Sequence, residues 1–410
     1  MVDEMSEIKK KESNWWSYIL FQFLWLIVIM PKEIQFAMLA GISCILIWKG
    51  KKQRPDLVVC CVLAYAGCHI LSILYNAITG EYSIIRILAA CNTALIWIVA
   101  AGIYHFYRWN EIDDKKLAKT GFINGVCMSV FSLFFLIGRN FTDMISVPVI
   151  NCILFDREKD MYINRIRFWG FLEYPTLVVA FELLVFPFVI WYIWTNLPPK
   201  VRVAGVAVGS LATILPVYYC YSRSGYVLLA LEILIFGVLL LSDCLDEKKK
   251  KWMMIGLMVI AFLVIFVGNQ LIIKVFDKLM NMRAGSNGTR SLIYAETWTS
   301  YLRHPLIGCA IKALSSTGYP LGSHCSYLGF LYKTGIIGTV FIMVALGKNG
   351  INMIHNILRG RHLLIILGSV SISLLYLYFL FEDMDGANWL LCMWMAVSGK
   401  LSSKIDFCSV

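Results

Sequence analysis

Charge is what this sequence has least of. Only 15% of its 410 residues are Asp, Glu, Lys or Arg, against 59% hydrophobic, and the mean hydropathy is +0.71. A water-soluble domain of this size could not hide so much apolar surface, so a soluble fold is excluded. No zinc-binding or disulfide-scaffold spacing occurs among the cysteines. Most, such as Cys44, Cys60, Cys91 and Cys127, lie within apolar runs as small apolar residues, and Cys309 and Cys325, expected on the outer side, leave a disulfide open. No basic groove interleaved with stacking aromatics appears, which argues against nucleic acid as a partner. No small-residue cleavage site follows the first apolar run, so that segment is expected to stay as an anchor. No repeat relates residues 1–200 to 201–410, as an inverted-repeat transporter would require.

What is present is a series of apolar runs, at about 15–30, 34–48, 57–78, 84–107, 121–137, 171–195, 203–220, 225–242, 252–268, 325–346, 362–381 and 387–399. They predict an all-α polytopic membrane protein of about 12 transmembrane helices in one integral domain, 1–410. The first pair and the last run are short, and hairpins or re-entrant pieces would serve there as well. Lys and Arg set the orientation. One set of loops holds 22 of the 37 basic residues, among them Lys9, Lys49, Arg108, Lys115, Lys248, Arg359 and Lys400, which predicts cytoplasmic termini. The net charge of +11 then reflects topology and contact with anionic membrane lipids. Trp15, Trp16, Trp48, Trp191 and Trp194 suit interfacial belts, and the GxxxG spacings at Gly121–Gly125 and Gly205–Gly209 suit close helix packing within the bundle.

Two long outer segments follow from this topology, 138–170 and 269–324, the second lying between helices 9 and 10. Within the latter, Thr289 is expected to cap a helix from Arg290 to about Arg303, ended by His304-Pro305. Arg290, Tyr294, Trp298 and Tyr301 would share a face, a cation beside aromatics that suits sugar and phosphate; a helix lying on the membrane would give the same pattern. Arg223, at the outer end of a span, has no topological reason to be there. Together with Arg290, Arg283 and Arg167 it suggests a diphosphate seat, with snorkelling to headgroups as the alternative. His324 stands directly before the apolar stretch Cys325–Val344. Neighbouring arginines would oppose its protonation and keep it able to act as a general base, although a structural histidine is equally simple. Arg303 and Tyr327 complete the candidate substrate-binding set. Glu382, Asp383 and Asp385 read either as a solvated turn or as Mg2+ ligands, and Glu182 and Glu232, deep in spans, need internal partners.

Four motifs now combine. Ser-Arg-Ser-Gly (222–225), Gly-Thr-Arg-Ser-Leu-Ile-Tyr-Ala-Glu-Thr-Trp (288–298), Arg-His-Pro-Leu-Ile-Gly (303–308) and His-Cys-Ser-Tyr-Leu-Gly (324–329) follow the order found in the O-antigen ligase and O-antigen polymerase superfamily, which this sequence resembles over about 165–345. The resemblance implies a GT-C-like, metal-independent, inverting glycosyltransferase that needs no cofactor. Its implied donor is an undecaprenyl-diphosphate-linked oligosaccharide used for capsule or O-antigen, with a flippase and a chain-length regulator of the same pathway as further partners. Arg223 and Arg290 are the implied diphosphate binders and His324 the implied base, in a bacterial plasma (inner) membrane. The usual Pro-Asn is Pro175-Thr176 here, and Cys325 stands where Asn is commoner. Polymerase, ligase and a lipid-linked oligosaccharide flippase all remain open at this point.

Overall fold

The computed structural model describes residues 15–138, 159–160, 163–246, 284–359 and 362–403, with isolated positions between 248 and 281. The expected span 252–268, most of the outer segment 138–170, and Arg283 lie outside the described residues. Among those described, the fold is all-α, and only two isolated bridges, Asp160 with Arg165 and Leu314 with Pro320, have strand pairing. The helices are α1 (Ile19–Gln22), α2 (Leu24–Val28), α3 (Lys32–Lys49), α4 (Leu57–Thr79), α5 (Ile84–Trp109), α6 (Asp114–Gly138), α7 (Leu177–Asn196), α8 (Pro199–Cys220), α9 (Arg223–Asp243), α10 (Ala284–Arg303), α11 (Ser326–Arg359), α12 (Leu363–Tyr378) and α13 (Asn388–Ser402). Seven of them, α4 to α9 and α11, are long and apolar enough to cross a membrane. The first expected span is not one helix: it divides into the 3-10 turn Trp15–Tyr18, α1 and α2.

α7 and α13 form the centre. An apolar residue at nearly every position gives α7 no polar face to show, and 89% of its span is buried, as expected of a helix apolar all round. All of α13 is buried too. The two GxxxG pairs explain how close the neighbours come. A Cβ on Gly121 of α6 would stand 2.5 Å from the Cβ of Phe188, and one on Gly205 of α8 would stand 2.3 Å from Leu197 Cδ1, so both small-residue faces seat the chain of α7 and its end.

Ion pairs mark the two ends of the bundle. At one end Arg108 reaches Asp56 at 3.4 Å and Lys400 reaches Asp114 at 2.7 Å. At the other end α10 and the loop after it cover the bundle. Here the C-terminal turn of α4 holds the loop: Asn76 Nδ2 and Ser72 Oγ donate to the Gly308 carbonyl at 3.1 and 3.3 Å.

α11 is broken at Gly335, whose φ of 59° and ψ of −166° suit glycine alone. The break frees backbone groups that the segment 305–309 satisfies: Ile336 N–H donates to the Pro305 carbonyl at 2.8 Å, and Cys309 N–H donates to the Tyr332 carbonyl at 2.6 Å. The contact is backbone to backbone, because a Cβ on Gly335 would lie 2.3 Å from Leu306 C. Gly335→Ala should therefore lower stability by about 1 to 3 kcal/mol. Gly237→Ala, with nothing within 4 Å of the added methyl, serves as the control in detergent thermal unfolding and should lose no stability, gaining up to about 1 kcal/mol from helix propensity.

Candidate functional site

α10 supplies the surface on which the outer cations meet. It begins at Ala284, six residues before the expected start, so Thr289 is not its cap; the Thr289 hydroxyl instead bonds back to the Gly285 carbonyl at 3.4 Å. The longer helix adds Asn287, one turn before Arg290 and two before Tyr294, so all three share a face. Asn287 Oδ1 accepts from Arg223 Nη2 at 2.6 Å. Tyr294 donates its hydroxyl to the His324 carbonyl at 2.7 Å. Arg223, Arg290 and His324 are thereby gathered along three turns of one helix.

Local sequence sets each of them. Tyr221 closes α8 in the left-handed conformation, and Ser222 caps α9 by accepting from Gly225 N–H at 3.3 Å, which fixes Arg223 as the first residue of α9. His324 also takes a left-handed backbone, φ 62°, a conformation in which histidine is enriched among non-glycine residues. Its imidazole lies edge-on to Tyr319, with ring centroids 5.9 Å apart. Burial holds the imidazole pKa below its ordinary 6.5. Arg290 and Lys312 act in the same direction, against Glu382 and Asp383. Burial, more than the neighbouring arginines, is thus what keeps His324 neutral. Burial also pushes the Tyr294 phenol up to about 12, so it remains a donor.

The acidic strap between α12 and α13 is the largest departure from expectation. Glu382, Asp383 and Asp385 form no solvated turn; they are buried beneath the site. Arg290 Nη2 meets Glu382 Oε1 at 2.9 Å and Nη1 donates to the Phe381 carbonyl at 3.0 Å. Lys312 reaches Asp383 at 2.5 Å, while Lys333, fully buried, pairs with both Asp383 (3.3 Å) and Asp385. Trp97 Nε1 adds a bond to Asp385 at 3.1 Å. Burial works to raise the Asp383 pKa, yet the two lysines together hold it below the usual carboxylate range. Each carboxylate answers a cation of the chain itself, and among the described residues no group of three or more His, Cys, Asp or Glu is arranged to hold a metal ion. Ser326, the first residue of α11, ties His324 to this strap by donating its hydroxyl to the Glu382 carbonyl at 2.7 Å.

Other expected site residues stand apart. Arg167 is buried and braces the end of α8, its Nε donating to the Cys220 carbonyl at 3.0 Å and its Nη1 standing 3.5 Å from Asp160. Tyr327 faces into the bundle, its hydroxyl donating to the Tyr376 carbonyl at 3.0 Å. Trp298 does not share the inward face: it is exposed and packs on Tyr301, with centroids 5.2 Å apart. Arg303, at the far end of α10, is about 20 Å along the helix from Arg290 at 1.5 Å per residue. Cys309 and Cys325 are free thiols. Glu232 accepts from Ser371, the internal partner expected for it. Lys333 and Asn287 are the residues that sequence reasoning missed. A lysine inside the apolar stretch Cys325–Val344 demands a buried carboxylate, and Asp383 and Asp385 were the acids available.

Residues 209–343 match a family described as O-antigen ligase. The matched stretch contains Arg223, Arg290, His324 and the Gly308–Gly335 contact, and it ends before the acidic strap. No curated protein matches the chain.

Removing Lys333 while its carboxylates remain should be costly. Lys333→Met is expected to lose about 3 to 5 kcal/mol of stability, with part regained in the Lys333→Met/Asp385→Asn double variant, as read by thermal unfolding in detergent.

Proposed function

We propose, from the match of residues 209–343 to a family described as O-antigen ligase, that this chain is a glycosyltransferase of a bacterial plasma membrane. It lengthens a capsular or O-antigen polysaccharide at the outer leaflet, with both termini cytoplasmic. Its donor is a glycan on undecaprenyl diphosphate, and its acceptor is a second lipid-linked repeat. One observation supports this above the others: two guanidinium groups and the backbone of His324 meet on the single face of α10 that bears Asn287, Arg290 and Tyr294, with the His324 imidazole within electrostatic reach of Arg290.

In this mechanism the acceptor hydroxyl gives its proton to the His324 imidazole as its oxygen attacks the anomeric carbon of the donor. The bond from that carbon to the diphosphate breaks, and its electron pair leaves with the diphosphate oxygen. Arg223 and Arg290 hold that growing negative charge in the fixed geometry a guanidinium provides. Arg290 meets Glu382 and the Phe381 carbonyl, so diphosphate either shares the five guanidinium donors or displaces Glu382. No step requires a cofactor.

The description of the matched family, O-antigen ligase, favours a second reading in which the same donor is transferred to the lipid A core. Donor binding and proton removal are common to both, and the acceptor alone separates them. Incubation of the purified protein with lipid-linked repeats, with and without lipid A core, distinguishes them by which product lengthens.

His324→Ala should slow chain elongation by roughly 10²- to 10⁴-fold, the usual worth of a general base; undiminished elongation would refute the assignment. Arg223→Ala should chiefly raise the donor KM. A base works only when deprotonated, so the rate falls as pH drops through the His324 pKa. Since burial lowers that pKa, the acid limb of the wild-type pH–rate profile should lie below 6.5.

A further inference from the structure

Beside the Arg223–Arg290 seat, on the other side of the acidic strap, lies a cavity of about 540 Å³ that no step above uses. It is walled by the beginnings of α3, α5 and α13, by the loop 310–320 and by the strap at Asp385 and Gly386. Its size is that of a small-molecule site.

Its lining carries four cations, Lys32, Arg86, Lys312 and Lys333, against the two carboxylates of Glu33 and Asp385, a positive balance, together with two amides. Arg86 donates through Nη1 to the Lys312 carbonyl at 2.8 Å, which leaves other donors of its five free to meet a ligand. Lys32 donates to the Gly386 carbonyl at 2.8 Å. Asn92 Nδ2 donates to Asn388 Oδ1 at 3.3 Å, so its amide oxygen is left to accept. Lys312 is shared: it lines the cavity and pairs with Asp383, and its charge acts on His324. On its outer flank the cavity is lined by Ile85 and Leu88, which are exposed along with Ile84 on the outward face of α5. A ligand that enters there brings an apolar tail on one side and meets cations and amides on the other.

We propose that this cavity is a second seat for a lipid-linked glycan, the acceptor, with its anionic headgroup at Lys32 and Arg86 and its sugar hydroxyls at Asn92 and Asn388. The inference rests on the glycosyltransferase reading for the word acceptor and on the cavity alone for the binding. It accounts for a site with two walls that share Lys312. The donor is held by Arg223 and Arg290 on one wall, and the acceptor approaches His324 from the other.

The test uses the full chain in nanodiscs with a photoreactive amino acid in place of Thr93, and as probe the radiolabelled lipid-diphosphate-linked glycan from cells lacking this protein. Cross-linking at position 93 should survive Arg223→Ala and should fall roughly tenfold in Arg86→Ala and in Asn92→Ala, each tested separately, as loss of a charge-assisted or amide contact implies. The proposal is overturned if cross-linking disappears with Arg223→Ala, which would mean one seat. It is equally overturned if undecaprenyl phosphate without glycan, or bulk phospholipid, labels position 93 as strongly. Labelling that behaves as expected in a wild-type protein forming no glycosidic bond would sink the glycosyltransferase reading and leave the second seat standing.

Discussion

The ammonium of Lys333 is shut away at one end of the bundle between Asp383 and Asp385, and the parts of the site hang from that cluster. A charge so buried cannot be left alone. It fixes the strap that supplies both carboxylates, and the strap in turn presents Glu382 to Arg290 and its carbonyl to Ser326. Lys312 reaches the same strap from the loop before His324. Ion pairs in water would do this weakly, since exposed pairs are worth about 1 kcal/mol or less. Buried ones make each partner intolerant of the other's loss, and so hold three distant segments in register.

Backbone complementarity does the same a turn further along α11. The left-handed Gly308 and the glycine-only conformation at Gly335 let 305–309 enter the helix break and take its unpaired groups. This joins the loop after α10 to the long apolar helix α11 without a side chain between them. The end of α10 and the start of α11 are thus set against each other on both flanks of His324. Its left-handed backbone is held between Tyr294 and Ser326, so the imidazole is positioned before any ligand arrives.

Much of this was legible in the sequence. Apolar runs gave the helices, because in lipid every backbone group must bond within its own segment. Arg223, Arg290 and His324 stood out because charge at a membrane edge is costly, and all three meet on one helix face. The failures have physical causes. The start of α10 was misread because Gly285 and Gly288 are poor helix formers, a local preference overridden by Asn287 binding Arg223. The acidic strap looked solvated because its cations, Lys312 and Lys333, lie some fifty to seventy residues before it. Short-range pattern reports the state of a residue poorly when its partner is far along the chain. Arg167 and Tyr327 were the right residue types, but backbone carbonyls at Cys220 and Tyr376 engage them first.

Placing the strap between two sets of cations has a further consequence for chemistry. Arg290 and Arg223 repel each other, and Glu382 and Asn287 supply the oxygens that meet them, so an anion arriving there would exchange one set of oxygens for another without exposing a bare guanidinium. The net attraction of such an anion would be a difference between two sets of oxygens, which keeps its binding moderate. A lysine anchored below, Lys333, makes this exchange feasible, since Asp383 and Asp385 hold the strap even while Glu382 changes partners.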